Sequence, residues 1–458
     1  MFLVKVFACK KVFCEKEKVL RKRAIVISPG IYTYGASVIA GILERCPGDK
    51  DNIDVTLSKS LHFEGKFDYI FLSLSSTLHL LEIGDSIQEL KRKCKDGGLI
   101  VVGGPVSQCP EFVFRYLDCD VVVIGEGEIP VEMMKNGYGI EEIDGVAYKE
   151  NREIVINPPK QLPDIEHRTL PKIPKDISEQ DVRGANVYIE THRGCKFNCS
   201  FCQVSEFFGR EIRSRSIDNI VEEVKEFKKA GVKKIAVSGG TSSLYYKFRD
   251  LLETVSSVIG KNNLSAPDIR VDTINNETLD AIREYTIGWV FFGMESGSDR
   301  MLKRMRKGIK VGDIIEAREA AKQQGVKVAG SFIVGYPGER AEDYEKTKEL
   351  VEDLWLDDCF ISIAEPIPGT ELAEEVIKGE EDNPLFIQSK RIRNMSVAEE
   401  RALDLMLTSY VARERPLTLS DDLYEKTLKE VRKQGEDIRK VTQMITGGLG
   451  YVYNCGYL

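Results

Sequence analysis

A chain of 458 residues, 42% of them hydrophobic and 30% charged, is long enough for two to four domains and has the composition of a folded globular protein. Its net charge of −8 argues against a general nucleic-acid binder. No run approaches the roughly 20 apolar residues that a membrane helix needs, and MFLVKVFACKKVF lacks both the long apolar run and the cleavage site of a signal peptide. The expectation is a cytoplasmic protein with no membrane or nucleic-acid partner. Eleven cysteines, odd in number and scattered, read as reduced thiols rather than a disulfide framework. Lys, Glu and Ile are abundant while His and Trp are scarce, a bias that suits an anaerobic or thermophilic microbe.

Residues 1–22 show no clear pattern and stay unassigned. From Arg23 strands and helices alternate: RAIVIS, a PGIYTYG loop and the helical ASVIAGILERC. DYIFLSLSS reads as a strand ending in hydroxyls, and IGDSIQELKRKCKDGG as a helix closed by glycines. LIVVGGP, the short helix PEFVFRYL and DVVVIGEGE follow. Strands of Val and Ile without polar alternation argue for a parallel sheet covered on both faces. Its ligands are expected beyond the C-terminal strand ends. IDGVAYKENREIVINPP closes this region, and residues 161–184, with prolines and charges but no periodicity, read as a linker.

A central domain over residues 185–382 then opens with NVYIETH. A helix is expected at SIDNIVEEVKEFKKAG, capped by Ser216 and ended by Gly231. The strands KKIAVSGG, DIRVDT, GWVFFGMES, KVAGSFIVGYPG and CFISIAEP follow, so six βα units predict an incomplete TIM-like barrel. MLKRMRKG, from Met301, reads as a solvated basic helix face, with anion contact as the alternative. Residues 383–458 are charged and helical in pattern and end in GGLGYVYNCGYL.

Directly after the first barrel strand comes THRGCKFNCSFCQ. Cys195, Cys199 and Cys202 place three soft thiolates on one loop, a donor set that selects iron–sulfur clusters, zinc or copper(I). The loop supplies no fourth ligand, so the site is open by one position. A zinc site completed by His192 or by a distant cysteine such as Cys359 is the alternative.

The C-x3-C-x-Φ-C spacing resembles the signature of the radical S-adenosylmethionine (SAM) superfamily. Four further motifs in family order strengthen the resemblance: SGGT, GMESGS, VGYPGE and EPIPGTEL. It implies a [4Fe–4S] cluster on the three cysteines whose fourth iron takes SAM. The SAM contacts it implies are Phe201 beside the adenine, Ser238, Gly239 and Gly240 at the methionine end, and Glu295 and Ser296 at the ribose. Val334, Tyr336 and Pro337 fall on the adenine-contacting turn, and Arg270 and Asp272 close the third strand. Thr241 replaces the usual acidic residue after the glycines.

VVGGPVSQCPE followed by CDVVVIGEGE is similar to the cobalamin (B12)-binding domain fused to many radical SAM enzymes, over roughly residues 24–160. The implied cobalamin contacts are Tyr34, Gly35, Ser73, Ser75, Ser76, Thr77, Gly103, Gly104, Pro105, Gly125, Glu126 and Gly127. The D-x-H-x-x-G cobalt-ligand signature is absent, and His79 reads as the start of a helix rather than as a ligand.

The expected fold is α/β: a Rossmann-like B12-binding domain (1–160), the linker, a partial (βα)6 radical SAM barrel and a mostly helical C-terminal domain (383–458). The resemblance implies a cobalamin-dependent radical SAM methyltransferase. In that chemistry a 5′-deoxyadenosyl radical takes hydrogen from an unactivated sp3 carbon, which then receives a methyl group from methylcobalamin. Implied partners are an electron donor such as ferredoxin or flavodoxin and a substrate. The first candidate is a methanogen protein, a glutamine of the methyl-coenzyme M reductase alpha subunit; a small molecule is the rival. A cyclase or rearrangement enzyme using both cofactors is the alternative, and the N-terminal domain argues against methylthio transfer.

Overall fold

In the computed structural model, the residues described are 21–44, 53–75, 77–364, 367–378, 401 and 405. The expected C-terminal domain and residue Ser76 therefore lie outside the described residues, apart from Arg401 and Leu405.

The first unit contains β1 (Arg23–Ile27), α1 (Tyr34–Glu44), β2 (Asp54–Ser58), β3 (Phe67–Ser73), α2 (Thr77–Lys93) and β4 (Cys94–Gly103). It continues with α3 (Pro110–Tyr116), β5 (Val121–Val123), α4 (Glu128–Lys135), β6 (Val146–Glu150) and β7 (Glu153–Asn157). One sheet has the order β2-β1-β3-β4-β5-β6-β7. The pairs from β2 to β5 are parallel; β6 and β7 pair antiparallel. Val and Ile fill β1, β4 and β5 because both sheet faces are covered. One core gathers Leu80, Ile83 and Ile87 of α2 with Phe112 and Val113 of α3, and a second gathers Ala36 and Val38 of α1 with Val131 and Met134 of α4. This is a doubly wound sheet whose order reverses at β1, so its ligand crevice falls at the C-terminal ends of β1 and β3.

Three details differ from the sequence reading. Strand β2 was not foreseen, since DVTLS alternates at the sheet edge and lacks the apolar run of its neighbours. The helix α2 ends at Lys93 rather than at the glycines, because Cys94 already pairs with Phe67 and a register shift between Phe67 and Tyr69 takes up the residues that follow. KENREI forms the β6–β7 hairpin, its turn made by Asn151 and Arg152 at φ 50° and 72°, which matches the twist of a two-residue turn.

The second unit holds β8 (Val187–Glu190), β9 (His192–Arg193), α5 (Gln203–Phe208), β10 (Arg213–Ser214), α6 (Ile217–Lys229), β11 (Ile235–Ser238) and α7 (Phe248–Ile259). Next come β12 (Leu264–Ser265), β13 (Ile269–Arg270), α8 (Asn276–Tyr285), β14 (Trp289–Glu295), α9 (Asp299–Arg304) and α10 (Val311–Gln323). Then β15 (Lys327–Val334), α11 (Ala341–Leu354), β16 (Asp358–Ile363) and α12 (Glu371–Lys378) complete it. Ser216 caps α6 by accepting from the Asn219 amide at 3.3 Å, and Ile220, Val221, Val224 and Phe227 face the core, as the spacing predicts.

The parallel strands form two arcs, β12-β11-β8 and β13-β14-β15-β16. The third barrel strand is thus broken into β12 and β13. Pro267 brings no N–H to a ladder and Asp268 adopts φ 63°, so pairing cannot pass through them. The linker is not loose. Lys172 donates its amide to Ser37 O at 2.8 Å and pairs with Glu44, fastening residues 170–172 along α1.

Candidate active site between the two units

The antiparallel pair β9–β10 closes the neck of the cysteine loop, with Arg193 opposite Arg213 and His192 opposite Ser214. Within the loop the Cys202 amide donates to Cys199 O at 3.1 Å and the Cys195 amide to Gly209 O at 3.2 Å. Ser200 ties it to the barrel: its amide donates to Met305 O at 3.0 Å, and its hydroxyl meets the Tyr336 hydroxyl at 2.8 Å. Cys195, Cys199 and Cys202 form no disulfide. Burial raises the Cys199 thiol, opposed by the cations of Lys307 and then Arg270. Burial and then the neighbouring Cys199 push Cys202 to about 12.

The donor set fits an iron–sulfur cluster. Among the described residues no group of three His, Cys, Asp or Glu converges as a single ion requires. A cluster spreads its thiolates over separate irons, and the mutual influence of Cys195, Cys199 and Cys202 places them within range of one group. Cys195 Sγ lies 3.9 Å from Thr241 Oγ1, which sets the SGGT turn beside the loop. That turn is close-packed: a Cβ at Gly239 would fall 2.2 Å from the His192 ring.

One cavity lies between the units. From the first sheet it is lined by Tyr34, Gly35, Ser73, Ser75, Gly103, Gly104, Pro105, Gly125, Glu126 and Gly127. The second unit contributes the end of β8, His192 and Arg193, the start of α5, and Ser238 to Gly240. The C-terminal strand ends of the first sheet and those of β8 and β11 therefore open onto shared space, while the β13–β16 arc contributes nothing to the lining. The site residues expected in the first unit gather there, save Ser76, outside the described residues, and Thr77, whose side chain is not described. His79 sits buried in α2, away from the lining, and burial lowers its pKa to about 4.

The cavity wall suits a broad, largely apolar ligand with amide edges. Ile31, Val38, Ile39, Val101, Phe207 and Phe208 supply the apolar surface. Gly104, at φ 94°, lets the backbone come close, since a Cβ there would meet Leu74 O at 2.6 Å. Ser75 Oγ and Gln203 Oε1 are buried in the wall without hydrogen-bond partners, groups that a polar ligand edge would satisfy.

The remaining expected SAM contacts lie outside the cavity lining. Phe201 packs against the barrel core, and Val334 is buried in β15. Tyr336 holds Ser200, and Pro337 O accepts from Arg304 Nε at 2.5 Å. Glu295, at φ 63°, is ion-paired with Lys307 at 2.7 Å. The Ser296 hydroxyl meets Thr347 Oγ1 at 3.1 Å and accepts from the Ser298 amide. Arg270 chelates Asp272 through two contacts of 2.9 Å. Glu295 and Ser296 are thus engaged by protein partners. Lys307 departs from the solvated-face reading of MLKRMRKG, for it is buried.

Sequence reasoning missed the ionic network that joins the units. Arg193 pairs with Glu126 and Glu128 of the first unit and with Glu190 at 2.8 Å. Arg213 also pairs with Glu126. The Tyr34 hydroxyl donates to Glu223 Oε1 at 2.6 Å and accepts from Arg215 at 3.1 Å and from Arg168. Burial raises the Glu190 carboxyl, yet Arg193 and Arg168 outweigh it and hold it down at about 2. The carboxylate of Glu126 and the hydroxyl of Tyr34, both expected at a corrin, are spent on this network; the Tyr34 phenol is held far above its ordinary value by burial and Glu223.

A profile described as the radical SAM superfamily matches residues 189–351, and one described as a B12 binding domain matches residues 22–134. A Methanocaldococcus jannaschii protein, named on provisional grounds a methylthiotransferase, is 49% identical over 92% of this chain and 96% of its own length. An uncharacterised methyltransferase of Pyrococcus horikoshii is 31% identical over 71% of this chain and 73% of its own. The fold is that of the radical SAM methyltransferase TsrM from Kitasatospora setae, solved with cobalamin and a [4Fe–4S] cluster bound. The TM-score is 0.68 at 15% identity, over 94% of this chain and 99% of that one.

Proposed function

We propose, on the premise that this chain belongs to the radical SAM superfamily in its B12-binding branch of methyltransferases, that it C-methylates an unactivated sp3 carbon. The observation that supports this reading is a cavity lined by the strand ends of the first sheet and by residues that flank the cysteine loop. His192 and Arg193 come before the loop and Gln203 and Val204 after it, although the three cysteines themselves are not in the lining. When bound, the cluster and cobalamin would supply respectively the electron that splits SAM and the methyl group that is delivered. Cys195, Cys199 and Cys202 would hold the cluster, and Ser238 to Gly240 the methionine end of SAM. Ser75, the glycines of GGP and GEG, and Gln203 would cradle the corrin. The apolar wall excludes water from a reactive intermediate, and the network around Arg193 holds the two linings in register.

The proposed substrate is a protein side chain, with a glutamine of the methyl-coenzyme M reductase alpha subunit as first candidate. Electron delivery by a ferredoxin or flavodoxin in the cytoplasm completes the proposal. Among the described residues no helix is long and apolar enough to cross a membrane. The test is anaerobic turnover with methyl-labelled SAM, followed by mass spectrometry of the candidate substrate. Methyl transfer gives 5′-deoxyadenosine together with S-adenosylhomocysteine and a substrate in which one hydrogen is replaced by an intact labelled methyl group. Deoxyadenosine alone would favour the cyclase or rearrangement alternative. The provisional name of the M. jannaschii relative favours a second reading, methylthio transfer, which a mass gain that includes sulfur would support.

A further inference from the structure

Arg270 leaves the C-terminal end of β13 and enters the base of the cysteine loop, where its side chain is held from several sides. Nε and Nη2 each donate to one oxygen of Asp272 at 2.9 Å. Nη2 also donates to Lys307 O at 2.5 Å. The guanidinium lies over the Phe197 ring, 3.6 Å from its centre, and Phe197 belongs to the cysteine loop itself. The remaining arm, Nη1, donates to Cys199 Sγ at 3.3 Å. The side chain is 5% exposed, so water does little to screen the charge. A fixed, buried cation thus points one N–H at a ligand sulfur.

We propose that Arg270 is a positioning residue that sets the reduction potential of the cluster on Cys195, Cys199 and Cys202, through its N–H bond to Cys199. The proposal rests on the cluster reading above. A hydrogen bond and a positive charge at a ligand sulfur favour the reduced cluster, which carries one more negative charge, so they raise the potential. The guanidinium fork suits this task because two arms anchor it while the third reaches the sulfur. Lys307, paired with Glu295 at 2.7 Å, also bears on Cys199, just as Asp272 offsets part of the Arg270 charge; what distinguishes Arg270 is the N–H that it donates to the Cys199 sulfur.

The test is an EPR-monitored redox titration of the full chain with its cluster reconstituted anaerobically and no SAM present. Arg270→Met, matched to wild type in iron content, should shift the reduced-to-oxidised ratio about tenfold toward oxidised, which is about 59 mV downward for one electron. Arg270→Lys, which keeps the charge but loses the fork, should recover part of the shift. An unmoved or raised midpoint in Arg270→Met overturns the proposal while leaving the cluster reading intact. If Arg270→Met fails to hold iron, wild type decides. Pulsed EPR of the reduced cluster in deuterated buffer should show an exchangeable coupling from the N–H on sulfur, and its absence overturns the proposal. A wild-type chain that takes up no iron defeats both this inference and the reading beneath it.

Discussion

Glu126 and Arg193 stand 67 residues apart in the chain and share a buried ion pair at the rim of the cavity. Arg213, opposite Arg193 across the neck of the cysteine loop, pairs with the same carboxylate. One side chain of the GEGE turn thus grips both stems of the loop that carries the cysteines.

Glu126→Gln should therefore loosen one unit against the other. Arg193 keeps Glu128 and Glu190 while Arg213 loses the carboxylate it shares, so the cost falls below the roughly 3–5 kcal/mol of leaving a buried charge uncompensated. The expected outcome is a lower melting temperature and, in turnover, more 5′-deoxyadenosine formed per methyl delivered. Differential scanning calorimetry and product ratios check this. An unchanged ratio would show that the clamp serves stability alone.

Cys199→Ala should abolish iron binding and SAM cleavage while cobalamin still binds, since the residues expected at the corrin sit chiefly on the first sheet. Iron analysis and the visible spectrum of bound cobalamin read the two effects separately.

Gly239→Ala places a methyl group against the His192 ring, where the backbone has no room for a Cβ. Overpacking of this kind costs about 1–3 kcal/mol. The displaced SGGT turn should weaken SAM binding, measured by calorimetric titration, with the iron content intact.

Acid should destabilise the fold in a defined window. Burial holds the His79 imidazole at about 4, below its ordinary 6.5, so the unfolded chain binds the extra proton. Its stabilising effect is complete above pH 6.5, declines as pH falls toward 4 and is gone below that. The lost stability is roughly 3 kcal/mol for this group. His79→Gln should flatten that part of the curve of unfolding free energy against pH in urea titrations.

The parts of the fold legible in the sequence were those written locally. Runs such as AIVI and VVVI mark strands buried on both faces, and Ser216 with the period of Ile220, Val224 and Phe227 marks α6. The glycine turns of the first sheet were legible for the same reason, because a turn at a strand end carries its own residues. The ionic network was not. Glu126 read as a corrin contact and Arg193 and Arg213 carried no pairing signal, because only the docking of two units gives them partners. The break in the third barrel strand was hidden too: Pro267 hints at it, but the left-handed backbone at Asp268 has no local signature. Lys307 looked like part of a solvated basic face, and only the bend after α9 turns it toward Glu295.

The central claim is that the cluster and the corrin face one cavity. The most direct measurement is the relaxation of the cob(II)alamin EPR signal in protein carrying both groups, with the cluster oxidised and then reduced. A shared cavity predicts that the reduced cluster, being paramagnetic and close, speeds relaxation of the cobalt signal and splits or broadens it. A cobalt signal indifferent to the state of the cluster, or a protein that takes up no cobalamin, would contradict it.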